Sequence, residues 1–143
     1  ASLGADLFIN SKKNIIQDEI HKKFGIKEVD VIIETSGNKL AFEETIPILS
    51  GSGRYILVGQ PKPGESIELL NAQHLFNGEG KTIKATQGGK FSPSKQIPRY
   101  IRMHKAGVFS TDNIISHKMK LEEINEAIGL VRSGQAGRIL IEM

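Results

Sequence analysis

A chain of 143 residues, 38% apolar and 24% charged, fits one globular domain with a buried core. Its net charge of +3 is spread along the sequence, with no basic stripe and no interleaved aromatics, which argues against a nucleic-acid partner. There is no cysteine, which excludes disulfides, thiolate metal sites and thiol nucleophiles, and no apolar run reaches the roughly 20 residues of a membrane span.

Ala1-Ser2-Leu3 reads as the tail of a helix closed by Gly4, with no initiating Met and no signal peptide, so the default expectation is a cytoplasmic location without membrane contact. Residues 5–10 (Ala5-Asp6-Leu7-Phe8-Ile9-Asn10) read as a short strand. Ser11 is placed to cap a helix over 13–24, with Ile15, Ile16, Ile20 and Phe24 as its apolar stripe and Gly25 as its stop.

The stretch 28–60 organises the rest. Val29-Asp30-Val31-Ile32-Ile33 is too short for a helix and rich in β-branched residues, as expected of a strand buried on both faces. It ends at Glu34-Thr35-Ser36-Gly37. Leu40, Phe42, Ile46 and Leu49 then recur at near-helical spacing, and Gly51-Ser52-Gly53 reads as the helix stop. Arg54-Tyr55-Ile56-Leu57-Val58-Gly59 is a second strand, closed by Pro61. Strand, helix and strand within about 30 residues define a βαβ unit with parallel strands. Open parallel sheets bind ligands beyond the carboxyl ends of their strands, here Thr35-Ser36-Gly37 and Val58-Gly59-Gln60.

Further on, Ile67 and Leu69 suggest an extended piece and 71–76 one helical turn. The alternation Lys81-Thr82-Ile83-Lys84-Ala85-Thr86 predicts a strand at a sheet edge or with one wet face. A helix over 93–105 starts at Ser92 or Ser94, and Pro98 inside it predicts a kink or a later start. Ile114-Ile115 is a short apolar segment; 121–133 is the clearest helix, stopped by Gly134, and 138–143 a closing strand.

Taken in order, Leu3-Gly4-Ala5-Asp6, the run Val29 through Gly37, and Gly53 through Gly59 resemble the cofactor domain of medium-chain dehydrogenases/reductases. Gly80 through Gly89, Ile97-Pro98 and Leu121 through Arg138 are similar to its zinc-dependent alcohol dehydrogenase branch. The resemblance implies an α/β fold: a partial Rossmann-type parallel sheet with flanking helices, lacking its first two strands, as a single partial nucleotide-binding domain over 1–143. It implies NAD or NADP as cofactor. Thr35, Ser36 and Gly37 would pass the adenine side, and Val58, Gly59 and Gln60 would lie near the nicotinamide. The backbone at Ala85 and Gln87 would complete the carboxamide contact, and Arg138 would reach the pyrophosphate. The edge strand from Lys81 to Thr86 would pair with its copy in a homo-oligomer.

Each residue has a plainer role to weigh. Gly37 and Gly59 serve equally to end a strand, Thr35 and Ser36 to start a helix, and Arg138 to sit on the surface; His21, His74, His104 and His117 show no metal-ligand spacing. The glycine-rich pyrophosphate turn, the ribose-binding acid and the zinc-bearing catalytic domain of the family pattern all fall before Ala1. The expectation is therefore a cofactor-binding part of an NAD(P)-dependent alcohol dehydrogenase, inactive alone, with zinc only in the absent catalytic domain. The alternatives are a non-catalytic interaction module and the zinc-free quinone or enoyl reductase branch.

Overall fold

The computed structural model describes residues 4–69, 72–111 and 114–143. The expected helix tail at 1–3 and Asn71 lie outside them. The chain divides into two units, Ala1–Lys90 and Phe91–Met143.

The first unit carries a parallel sheet of β1 (Val29–Glu34), β2 (Leu49–Leu57) and β3 (Thr82–Ala85), with β2 in the middle. The crossover from β1 to β2 is α2 (Lys39–Thr45) and a single 3-10 turn (Ile46–Ile48). Asn38 caps α2 by accepting the Leu40 N–H at 2.9 Å. Pro47 has no N–H to continue an α-helical ladder, so the helix tightens and ends there.

The helix is thus shorter than its apolar spacing predicts. Leu49 opens β2 instead of closing the helix, and Gly51 and Gly53 lie inside the strand. Gly53 is small for a packing reason: a Cβ there would sit 2.7 Å from Leu49 Cδ1 and Cγ. Leu49 and Tyr55 are fully buried, and with Phe42 and Ile46 they form the core, flanked by Ile32, Leu57, Ile67 and Leu75. Phe42 meets Tyr55 edge to face at 4.8 Å between centroids. The Tyr55 hydroxyl is satisfied by Thr45 Oγ at 2.8 Å, whose own proton goes to the Ala41 carbonyl.

β1 is not buried on both faces. Ile32 packs on the core, while Val31 and Ile33 alternate to the other face, Ile33 at 62% exposure. Residues 5–10 form no strand: they have no ladder partner among the described residues, and Phe8 is 86% exposed. A strand is defined by pairing, which β-propensity alone does not supply. The helix after it, α1 (Ile16–Phe24), starts later than 13 because Asn10 spends that stretch on a turn. Its carbonyl accepts the N–H groups of Lys13 and Asn14, and its Oδ1 that of Lys12. Ser11 therefore caps nothing, whereas Gly25 closes α1 as expected. A short α3 (Gln73–Phe76) precedes β3, whose four residues are exposed on an open sheet edge.

The second unit holds α4 (Pro93–Lys105), β4 (Ile115–Lys120), a 3-10 turn (Leu121–Glu123), α5 (Ile124–Arg132) and β5 (Arg138–Glu142). Pro98 lies within α4, whose start at Pro93 is not delayed by it. β4 and β5 pair in parallel around α5, a second βαβ unit that the sequence did not announce. Among the described residues no helix is long and apolar enough to cross a membrane.

Candidate functional site

The three strands of the first unit end together. Glu34 is in register with Leu57, and Leu57 with Ala85. The pairing runs one step further: the Glu34 carbonyl accepts the N–H groups of Val58 and Gly59 at 2.8 and 3.0 Å, and the Leu57 carbonyl that of Thr86 at 2.9 Å. The segments after β1, β2 and β3 therefore leave the sheet side by side.

Two glycines let the first two segments touch. Gly37 has φ +68°, and a Cβ on it would lie 2.3 Å from the Gln60 carbonyl oxygen. A Cβ on Gly59 would lie 2.0 Å from the Gly37 nitrogen. No side chain fits at either place, so these glycines do more than end strands.

Glu34 holds the first turn. It is 8% exposed. Its carboxylate accepts the Ser36 N–H at 2.6 Å, the Ser36 hydroxyl at 2.5 Å, and the Gly37 N–H at 2.9 Å to Oε2. Burial pushes its pKa up, but the Ser36 hydroxyl and the Gly37 and Ser36 N–H groups together outweigh it, leaving the carboxyl below its ordinary range. A lowered carboxylate pKa stabilises the fold above the unfolded value and ceases to as pH falls through the folded one.

Above these turns lies a cleft of about 530 Å³, within the usual range of small-molecule sites. Of the residues expected at a cofactor, Gly37, Val58, Gly59, Gln60, Ala85 and Gln87 line it together. Thr35 and Ser36 do not; Ser36 turns its hydroxyl inward to Glu34. Arg138 belongs to the second unit, where it opens β5 with its carbonyl accepting the Ser116 hydroxyl at 3.1 Å. Its side chain makes no ion pair among the described residues. The sequence reading passed over Glu34, Asn38, Phe42, Ile67 and Thr86, which also line the cleft. The available signal was an acid two residues before a Ser-Gly turn, a spacing that favours local side chain to backbone bonds.

Among the described residues no three His, Cys, Asp or Glu side chains could together hold a metal ion. No zinc site is therefore assigned among the described residues. The cleft combines apolar residues such as Phe42, Leu57 and Ile67 with the polar Asn38, Gln60, Thr86 and Gln87, and Glu34 is its single ionisable residue among those described.

A parallel sheet with a ligand-sized cleft at its carboxyl ends defines a Rossmann-like type of α/β protein. The family described as zinc-binding dehydrogenase matches residues 1–106. This chain belongs to that family, as the C-terminal, cofactor-binding part of its zinc alcohol dehydrogenases. It is 24% identical to L-threonine 3-dehydrogenase of Bacillus velezensis over 140 residues, covering 97% of this chain and 39% of that protein. It is 29% identical to alcohol dehydrogenase-like 4 of Arabidopsis thaliana over 144 residues, covering 98% and 37%. Benzyl alcohol dehydrogenase from Acinetobacter calcoaceticus superposes with a TM-score of 0.88 at 28% identity, covering 99% of this chain and 38% of that one. The chain thus spans about two fifths of the length of the relatives it matches.

Proposed function

We propose that this chain binds NAD or NADP for an alcohol dehydrogenase, in which a nicotinamide ring accepts hydride from an alcohol. The observation that carries this is the set of three in-register strand ends whose Gly37 and Gly59 backbones touch beneath one cleft. The Val58 carbonyl and the backbone at Ala85 and Gln87 are groups able to bond a carboxamide, and the apolar walls at Phe42, Leu57 and Ile67 exclude water from a ring. In this reading Thr35 and Ser36 pass the adenine side of the dinucleotide, and Ser36 also braces the turn through Glu34. No zinc-dependent step is assigned to residues of this chain. In this reading residues 1–143 serve as one cofactor-binding part of a cytoplasmic homo-oligomer that uses the exposed edge of β3.

Titration of the purified protein with NADH and with NADPH, followed by nicotinamide fluorescence, tests the reading. Saturable binding of one of them, displaced by its oxidised form, is expected; no binding of either overturns it. The 143-residue chain supplied with zinc and an alcohol should reduce neither cofactor, and turnover would overturn the assignment of zinc chemistry to other residues.

Arg138 carries the phosphate part of the proposal. Its exposed guanidinium is free of ion pairs among the described residues and offers a fork that matches a phosphate oxygen pair. Arg138→Ala should weaken dinucleotide binding by about 1–3 kcal/mol, the range for a lost charge-assisted hydrogen bond. An unchanged dissociation constant removes Arg138 from the site.

A further inference from the structure

Glu34 is an acid at an unusual place. It lines the cleft, is nearly buried, and has no ion-pair partner among the described residues. Lys39, five residues on in the chain, is paired with Glu68 at 3.1 Å and Glu43 at 3.5 Å. What keeps Glu34 charged is the turn itself.

The first backbone donors of that turn are taken up within it. The N–H groups of Ser36 and Gly37 go to Glu34, that of Asn38 to Ser36 Oγ at 3.1 Å, and that of Leu40 to Asn38 Oδ1. Successive N–H groups after a parallel strand commonly cradle a phosphate. Here an internal carboxylate occupies that role, so an anionic group is repelled from this wall. A ligand seated against it is favoured by being neutral or positive there.

We infer that Glu34 is a positioning residue with two effects on the dinucleotide, an inference that rests on the cofactor reading above. Its carboxylate fixes the Ser36–Gly37 turn against Gly59 and Gln60, and its negative charge on the cleft wall favours the oxidised nicotinamide over the reduced one. The oxidised ring is positively charged and the reduced ring neutral, so a fixed negative charge acts on the difference between them.

Two substitutions separate the effects. Glu34→Gln keeps the side-chain length and removes the charge; its amide oxygen still accepts from Ser36, while its NH2 replaces the oxygen nearest the Gly37 N–H, so both affinities fall as their ratio shifts. Glu34→Asp keeps the charge but is one methylene too short to reach both Ser36 and Gly37. Dissociation constants for both oxidation states are measured with the full-length protein, and circular dichroism confirms that each variant is folded. In Glu34→Gln the ratio of the oxidised to the reduced dissociation constant should rise by about two- to fifteen-fold. That is the range for a unit charge roughly 10 Å away at effective dielectrics between about 80 and about 20. In Glu34→Asp both forms should bind more weakly with the ratio kept. A ratio unchanged in Glu34→Gln overturns the charge effect, because a purely structural role weakens both forms alike. Unaltered affinities in Glu34→Asp overturn the positioning effect. If the unsubstituted protein binds neither form, the cofactor reading fails and this inference fails with it. Binding by the unsubstituted protein with either overturning result removes this inference alone.

Discussion

Gly59→Ala is expected to abolish dinucleotide binding and to destabilise the protein by about 3 kcal/mol, the upper end of what overpacking costs. The added methyl would lie 2.0 Å from the Gly37 nitrogen and 2.7 Å from the carbonyl carbons of Thr35 and Ser36. All are backbone atoms, so no rotamer change can make room. The turn cannot simply move off either, because Gly37 is tied to the Glu34 carboxylate and Gly59 to the Glu34 carbonyl. Separating the two turns breaks one of those bonds and opens the cleft floor. Gly25→Ala is the fitting control. That site has φ +71° with nothing within 4 Å, so it bears only the cost of a left-handed residue, about 1–2 kcal/mol, and should leave binding intact. Urea unfolding and cofactor titration of both variants check this. A Gly59→Ala protein that unfolds at the same urea concentration as the parent would show that the turns are not in contact.

The site was legible in the sequence where it depends on local order. The run from Val29 to Ile33, the small residues at 35–37 and the strand before Gly59 place two strand ends side by side without reference to distant residues. The sequence could not reveal what depends on a neighbour far along the chain. Gly51-Ser52-Gly53 has the composition of a helix stop, yet Gly53 is in a strand because Leu49 folds across it. Residues 5–10 have strand composition and lack only a partner. The reverse holds for β4: Ile115-Ser116-His117-Lys118-Met119-Lys120 alternates too weakly to read as a strand, and β5 supplies the ladder that makes it one. The burial of Glu34 is not visible in the sequence, because it is created by the turn that folds back over it. The family resemblance pointed to Gly37, Val58, Gly59, Gln60, Ala85 and Gln87 on the cleft wall, whereas the bond by which Ser36 braces the turn depends on the burial of Glu34.

Leu49 and Gly53 share one volume, and that sharing predicts a strong energetic coupling. Leu49 is fully buried against Tyr55 and Phe42, so Leu49→Ala should cost about 2–5 kcal/mol in lost burial and cavity. Gly53→Ala should cost about 1–3 kcal/mol, because its methyl would meet Leu49 Cγ and Cδ1 at 2.7 Å. In the double variant the atoms that obstruct this added methyl are gone, and the methyl fills part of the space they left. The double variant should therefore lose less than the sum of the singles, by about 1 kcal/mol or more, the size of coupling between residues in contact. Relief is incomplete, since the Ser50 carbonyl oxygen would still lie 3.0 Å from that methyl. Chemical denaturation of the four proteins of this cycle gives the coupling directly. Strict additivity would mean that the glycine is required by the backbone of β2 and not by the side chain of Leu49, and the packing account of Gly53 would have to be abandoned.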